Sequence, residues 1–209
     1  MHLGDGVAGP TLTAGISAVS LALAAWSLKN TPNEKIPRVA LVTAAFFSIS
    51  LLNVRIGVTS AHLLLNGLAG VLLGPSAFIA VAAALVLQAV MFQHGGIAAI
   101  GINSFVMGLP ALATYAGYRV LVRRRRPSRR VIGFAGFSIG FISVALSAAL
   151  LTLVLCLCGR EFRVTAGLLL AAEAPLVVVE GVVSAFALLF FDRAAPGIKS
   201  SAKDRKSTR

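Results

Sequence analysis

The chain has 209 residues, 57% of them hydrophobic and only 12% charged, and a formal net charge of +12; its mean hydropathy is +0.89. Soluble domains carry about 25% charged residues, so an integral membrane protein is expected, and the apolar residues run continuously instead of alternating, which disfavours a transmembrane β-barrel. The positive charge lies in loops and tail, where it sets orientation and touches anionic membrane lipid; no nucleic-acid partner is implied.

At about 20 apolar residues per crossing, this length predicts an all-α, polytopic membrane helical bundle of about seven transmembrane helices. Span one runs from Pro10 to Leu28 and stops before Lys29-Asn30-Thr31-Pro32. Span two covers Pro37 to Asn53; span three covers Ser60 to Leu73 and is short, broken by Gly74-Pro75. Span four covers Ser76 to Phe92 and leads into the turn His94-Gly95-Gly96. Span five covers Ile100 to Val122, span six Val131 to Cys158 and span seven Thr165 to Phe191. Residues 1–192 form one transmembrane metal-binding domain, and 193–209 read as a basic, disordered cytoplasmic tail. With the N-terminus outside, only Arg55, Arg160 and Arg163 of the 19 basic residues fall on the outer face. The positive-inside rule therefore predicts an outer N-terminus and a cytoplasmic C-terminus.

The opening Met1-His2 offers three adjacent nitrogens: the α-amine, the His2 amide and the His2 imidazole. They can close two fused chelate rings around one metal ion, and a fourth nitrogen from His62 would complete a square. Flat four-nitrogen coordination suits Ni(II) or Cu(II) better than Mg(II) or Ca(II). The chelate needs a free amine on Met1, so no cleaved signal is expected ahead of it, and residues 1–9 lack the basic n-region of such a signal. The predicted topology brings Met1, His2, His62 and the Gly95-Gly96 turn to one face. Around them, Ser60, Gln88, His94 and Asn103 are candidates to support the ligands; a solvated loop position is the competing reading for His94.

Ionisable groups inside spans are costly and mark function by default. Glu173 and Glu180 lie two turns apart on one face of span seven, with Pro175 between them. They read either as a polar or gating pair or as protonated acids bonded to backbone. Small-residue stripes Ala14-Ala18-Ala22, Ala40-Ala44-Ser48 and Gly136-Gly140 allow close helix approach in lipid. Cys156 and Cys158 read as core residues. No Walker A loop occurs, so the chain binds no ATP by that route.

Taken in order, Met1-His2 with Asp5-Gly6, Thr59-Ser60-Ala61-His62, Leu73-Gly74-Pro75, Gln88-Ala89 leading to Gly95-Gly96-Ile97, Gly101-Ile102-Asn103, and Pro175 with Glu180-Gly181 resemble the CbiM/NikM family. These are the substrate-binding (S) subunits of energy-coupling-factor transporters for cobalt and nickel. The resemblance implies an N-terminus tucked into the bundle, with Ni(II) or Co(II) held as transported substrate by Met1, His2 and His62. It implies three kinds of partner: a transmembrane coupling subunit, cytoplasmic ATPases and a small accessory membrane subunit. The stripe Ala40, Ala44, Ser48 resembles the surface that meets the coupling subunit. The chain departs from the family at Glu173, where a histidine is frequent, and near Val106, where an asparagine is.

The sequence reading is thus a metal-capture subunit of the bacterial plasma (inner) membrane that is not itself an enzyme. Its rivals are a proton-coupled secondary transporter using Glu173 and Glu180, an intramembrane protease using Ser104, and a metal sensor without transport.

Overall fold

The computed structural model describes residues 2–51, 53–56, 59–122 and 128–194, with backbone alone at 53–56, 59–61, 121 and 122. Among these the chain is almost wholly helical: α1 Pro10–Lys29, α2 Ile36–Ser50, α3 Asn66–Leu73, α4 Ala77–Phe92, α5 Ile100–Val122, α6 Arg129–Cys158 and α7 Arg163–Ala194. One antiparallel hairpin, β1 Asn53–Ile56 and β2 Thr59–His62, interrupts the helices. Among the described residues, five stretches are long and apolar enough to cross a membrane: Pro10–Lys29, Asn66–Phe92, Ile100–Val120, Arg129–Cys158 and Arg160–Ala194.

The helix α1 begins on Pro10, whose fixed φ suits a first helical position and whose missing N–H costs nothing there. It ends where the Asn30 side-chain amide donates to the Trp26 carbonyl at 2.8 Å. Its buried face is polar. Ser20 donates to the Gly101 carbonyl at 2.6 Å, and Ser27 donates to the Pro75 carbonyl at 2.7 Å while accepting from the Ile79 N–H. Leu21, Trp26 and Leu28 face outward. Hydroxyl contacts inside and apolar side chains outside suit a helix packed in lipid.

Two expectations are corrected between α2 and α3. Span two ends at Ser50 instead of Asn53, and the segment assigned to the start of span three is strand, so His62 closes β2 and does not lie on the third helix. Val54, Ile56 and Val58, β-branched at every second position, favour an extended chain over a helix. At 15 residues, α2 is about 22 Å long, short of the ~30 Å hydrocarbon core.

The short α3 ends at Gly74-Pro75, as the sequence suggests. Both His62, before α3, and Gln88, near the end of α4, touch His2, whereas Pro75 between them meets Ser27 at the far end of α1. The chain therefore descends through α3 and returns through α4. Between α6 and α7 the approach is closest at Gly140, where a Cβ would overlap the Glu180 carbonyl. Leu3, from the N-terminal segment, joins Phe46, Leu64, Val81, Ile102, Val144 and Leu155 in one core cluster. That burial fixes the start of the chain inside the bundle.

Candidate metal centre

Residues 2–9 form a strap across the bundle end where α4 meets α5. Three contacts hold it. Leu3 donates its N–H to Asn103 Oδ1 at 2.8 Å and accepts from Asn103 Nδ2 at 3.1 Å, a reciprocal pair that mimics a strand ladder. The Asp5 carboxylate accepts the Ile97 and Ala99 N–H groups at 3.0 and 2.9 Å, just ahead of α5, where a helix N-terminus favours negative charge. The third contact is with Gly95 (φ +78°): a Cβ there would lie 2.7 Å from Asn103 Nδ2 and 3.0 Å from the His2 ring. Only glycine satisfies both that φ and that approach.

The strap delivers His2 to His62. His2 Nδ1 lies 3.1 Å from His62 Nε2, with ring centroids 4.8 Å apart. His2 is 4% and His62 2% exposed, and the His94 ring centroid lies 5.9 Å from that of His2. The neighbouring bonds assign the ring protons. His62 Nδ1–H donates to the Leu63 carbonyl at 2.9 Å, which leaves a lone pair on Nε2. Ser50 Oγ–H donates to the Phe46 carbonyl at 2.8 Å and accepts from Gln88 Nε2, which turns Gln88 Oε1 toward His2 Nε2 at 2.8 Å. His2 Nε2 is then the protonated nitrogen, and Nδ1 carries a lone pair. With the Gln88 amide in this orientation, two lone pairs face each other across 3.1 Å.

That spacing would suit two ligands of one cation. At a metal–nitrogen bond of about 2.0–2.1 Å, two ligands at right angles stand about 2.8–3.0 Å apart. Burial holds His62 well below the ordinary imidazole pKa and pushes His2 down to about 3. Both rings are therefore neutral ligands at physiological pH. Among the described residues, no third His, Cys, Asp or Glu joins them closely enough to complete a site; the nitrogen next to the His2 ring is its own main-chain amide.

Of the sequence candidates, the structure brings His2, His62, Gln88 and His94 together, with Asn103, on α5, one step away through its bonds to Leu3 of the strap. Met1 and the Ser60 side chain lie outside the described residues. Ala40, Ala44 and Ser48 are exposed on the outer face of α2. Ser104 is buried in α5. Sequence reasoning missed Ser50, which reads as an ordinary serine at the end of a span, and it named Asp5 without giving it a structural task.

Residues 2–198 match the family described as "Cobalt uptake substrate-specific transmembrane region", CbiM. The chain belongs to this family. A Haemophilus influenzae protein named for metal transport is 32% identical over 95% of this chain and 96% of its own length. "Cobalt transport protein CbiM" of Sorangium cellulosum is 33% identical over 95% and 94%. "Fused nickel transport protein NikMN" of Rhodobacter capsulatus is 34% identical over 70% of this chain but only 46% of that longer one. A crystal structure of a transition metal transporter superposes with a TM-score of 0.73 at 23% identity, covering 92% of this chain and 93% of that one. The family is one of cobalt and nickel transport membrane proteins, and this chain is a multi-pass member of it.

Proposed function

We propose that the chain is the capture subunit of an ATP-driven energy-coupling-factor importer for Ni(II) or Co(II) in a bacterial inner membrane. The metal is held by the Met1 amine, the His2 amide and imidazole, and the His62 imidazole. One observation carries this reading: His2 Nδ1 and His62 Nε2 meet at one buried point, 3.1 Å apart. Hydrated metal exchanges water for nitrogen there, and loss of the His2 amide proton makes capture pH-dependent. Gln88 orients His2, while Asn103 and Asp5 hold the strap.

The N-terminus faces outward in this reading, as the distribution of basic residues favours. Energy comes from partners: a transmembrane coupling subunit with cytoplasmic ATPases, and a small accessory membrane subunit. The exposed Ala40-Ala44-Ser48 face of α2 is the surface offered to the coupling subunit, since small side chains let a second helix approach closely. The greater length of the fused Rhodobacter relative supports an additional membrane partner.

The test is isothermal titration of purified protein with Ni(II) and Co(II). His62→Ala is expected to abolish high-affinity binding while the bundle keeps its helical circular dichroism. Wild-type affinity in that variant would remove His62 from the ligand set.

A further inference from the structure

The hydrogen-bond chain Ser50–Gln88–His2–His62 admits a second arrangement on the same heavy atoms. In the first, Ser50 Oγ–H donates to the Phe46 carbonyl, Gln88 Nε2–H donates to Ser50, His2 Nε2–H donates to Gln88, and two lone pairs meet between the rings. With no cation between them those lone pairs are buried acceptors without a donor, which is costly. Half a turn of the Gln88 amide exchanges its oxygen and nitrogen at no change in shape. Ser50 Oγ–H then leaves Phe46 and donates to Gln88 Oε1; Gln88 Nε2–H donates to His2 Nε2; His2, carrying its proton on Nδ1, donates to His62 Nε2. In this second arrangement each link of the chain pairs one donor with one acceptor. The imidazole is neutral in both, one proton leaving Nδ1 for water as another is taken up at Nε2.

Resting on the reading that His2 and His62 hold the metal, we propose that Gln88 is a two-state relay whose amide orientation reports occupancy of the histidine pair to Ser50 in the last turn of α2. A metal removes the proton from between the rings and selects the first arrangement; an empty site selects the second. The end of the relay is specific. Ser50 is the last residue of α2, and its hydroxyl lies 2.8 Å from the Phe46 carbonyl and 3.0 Å from that of Phe47 in its own helix. Back-bonding of a serine hydroxyl to its own helix alters local helix geometry, so occupancy changes the last turn of the helix whose outer face carries Ala40, Ala44 and Ser48. The coupling is reciprocal: a displacement of α2 that withdraws Ser50 as an acceptor turns Gln88 back, returns the proton to His2 Nδ1 and expels the metal. Gln88 is thus a positioning residue, and its action runs in both directions.

The experiment uses the full chain in micelles, with 15N in the histidine rings and 13C at the phenylalanine carbonyls, with and without stoichiometric Ni(II), which is diamagnetic in a flat four-nitrogen site. In wild type, His2 is expected as the Nδ1–H tautomer without metal and the Nε2–H tautomer with it, and the Phe46 carbonyl shift moves on loading. In Gln88→Met, Ni(II) affinity falls 10–100-fold, the loss typical of a partner that orients a ligand, and at saturating metal the Phe46 shift no longer moves. Gln88→Glu, whose ionised carboxylate only accepts, holds His2 as Nε2–H even without metal at a pH where that carboxylate is ionised. An Nε2–H tautomer in both wild-type states, or a Phe46 carbonyl that responds equally in wild type and Gln88→Met, overturns the relay. Ring nitrogens of His2 and His62 that ignore Ni(II) altogether would instead sink the metal assignment; the metal-free tautomer tests the relay independently of it.

Discussion

Asp5 occupies the space a side chain at Gly96 would need: a Cβ built there overlaps the Asp5 carboxylate, and Gly96 itself sits at φ +74°. The strap and the Gly95-Gly96 turn therefore form one closed unit, with the carboxylate bridging the Ile97 and Ala99 N–H groups.

From that closure follows the first prediction. Asp5→Ala removes two backbone hydrogen bonds ahead of α5, worth about 1 kcal/mol by analogy with helix caps, and frees the segment that delivers His2. Ni(II) affinity is expected to drop about 5–10-fold with helicity unchanged, and Gly96→Ala to lose at least as much because it displaces the same carboxylate. Calorimetry on both variants decides it; wild-type affinity in both would mean the strap closes without the latch.

A second prediction concerns acid. Burial holds His62 well below its ordinary pKa and brings His2 to about 3, whereas an unfolded chain protonates both near 6.5. The folded state thus binds fewer protons, and stability is lost as pH falls below about 6.5, with no histidine contribution above it. At pH 5, about 1.5 below the free value and at about 1.4 kcal/mol per pH unit, the His2 imidazole subtracts about 2 kcal/mol from the metal-free protein, and His62 acts in the same direction. Thermal melts between pH 7 and 5 measure this, and a double His2→Asn, His62→Asn variant should show a flatter profile.

What the sequence made legible follows the physics of each segment. Spans four to seven emerge nearly at their predicted limits because long apolar runs bounded by charge or glycine have one solution in a membrane. The hairpin did not emerge, because ten residues of mixed polarity between two short helices give no hydropathy signal, and only the Val54-Ile56-Val58 alternation hints at it. Of the two glutamates, Glu180 fits the backbone-bonded reading: it accepts the Leu64 and Leu65 N–H groups and ties the loop after His62 to α7. Glu173 is buried with no hydrogen-bond partner among the described residues, a difference that spacing along one helix cannot reveal. The stripes also part company. Gly136-Gly140 packs inside against α7, while Ala14-Ala18-Ala22 and Ala40-Ala44-Ser48 face outward. Four-residue spacing says that a face is smooth, and not what it meets.

The outward stripe on α2 gives a third prediction. Ala44→Leu adds bulk on an exposed face, so metal binding by the purified chain should stay within about twofold of wild type, as for surface substitutions generally. ATP-driven uptake in cells containing the coupling subunit and ATPases should collapse. Reconstituted alone in liposomes, the wild-type chain should accumulate no metal on ATP addition, for it has no Walker A sequence. Robust accumulation by the lone chain would overturn the need for partners, and normal uptake by Ala44→Leu would move the docking face elsewhere.

The last prediction separates the N-terminal chelate from every rival, because only that mechanism uses the α-amine. The strap fixes the register: Leu3 on Asn103 and Asp5 on the turn hold His2 against Gln88 whatever precedes it. Inserting one alanine between Met1 and His2 therefore leaves the imidazole in place and moves the amine one residue away. The His2 amide remains adjacent to its own ring, but the next nitrogen back becomes a second amide, which binds metal only after losing its own proton. Acetylating the amine removes the same ligand by withdrawing its lone pair. The acetylated form is expected to lose more than tenfold in Ni(II) affinity, about 1.4 kcal/mol or more, with membrane abundance unchanged; the inserted form, whose amine, two amides and imidazole can close a square on their own, is expected to bind metal independently of His62 and to lose transport. A proton-coupled transporter built on Glu173 and Glu180, or a protease built on Ser104, would tolerate both changes. Metal content and uptake of the inserted, acetylated and His2→Ala forms give the answer. An inserted form that fills with metal and transports normally would end the chelate hypothesis and leave His2 and His62 as a buried structural pair.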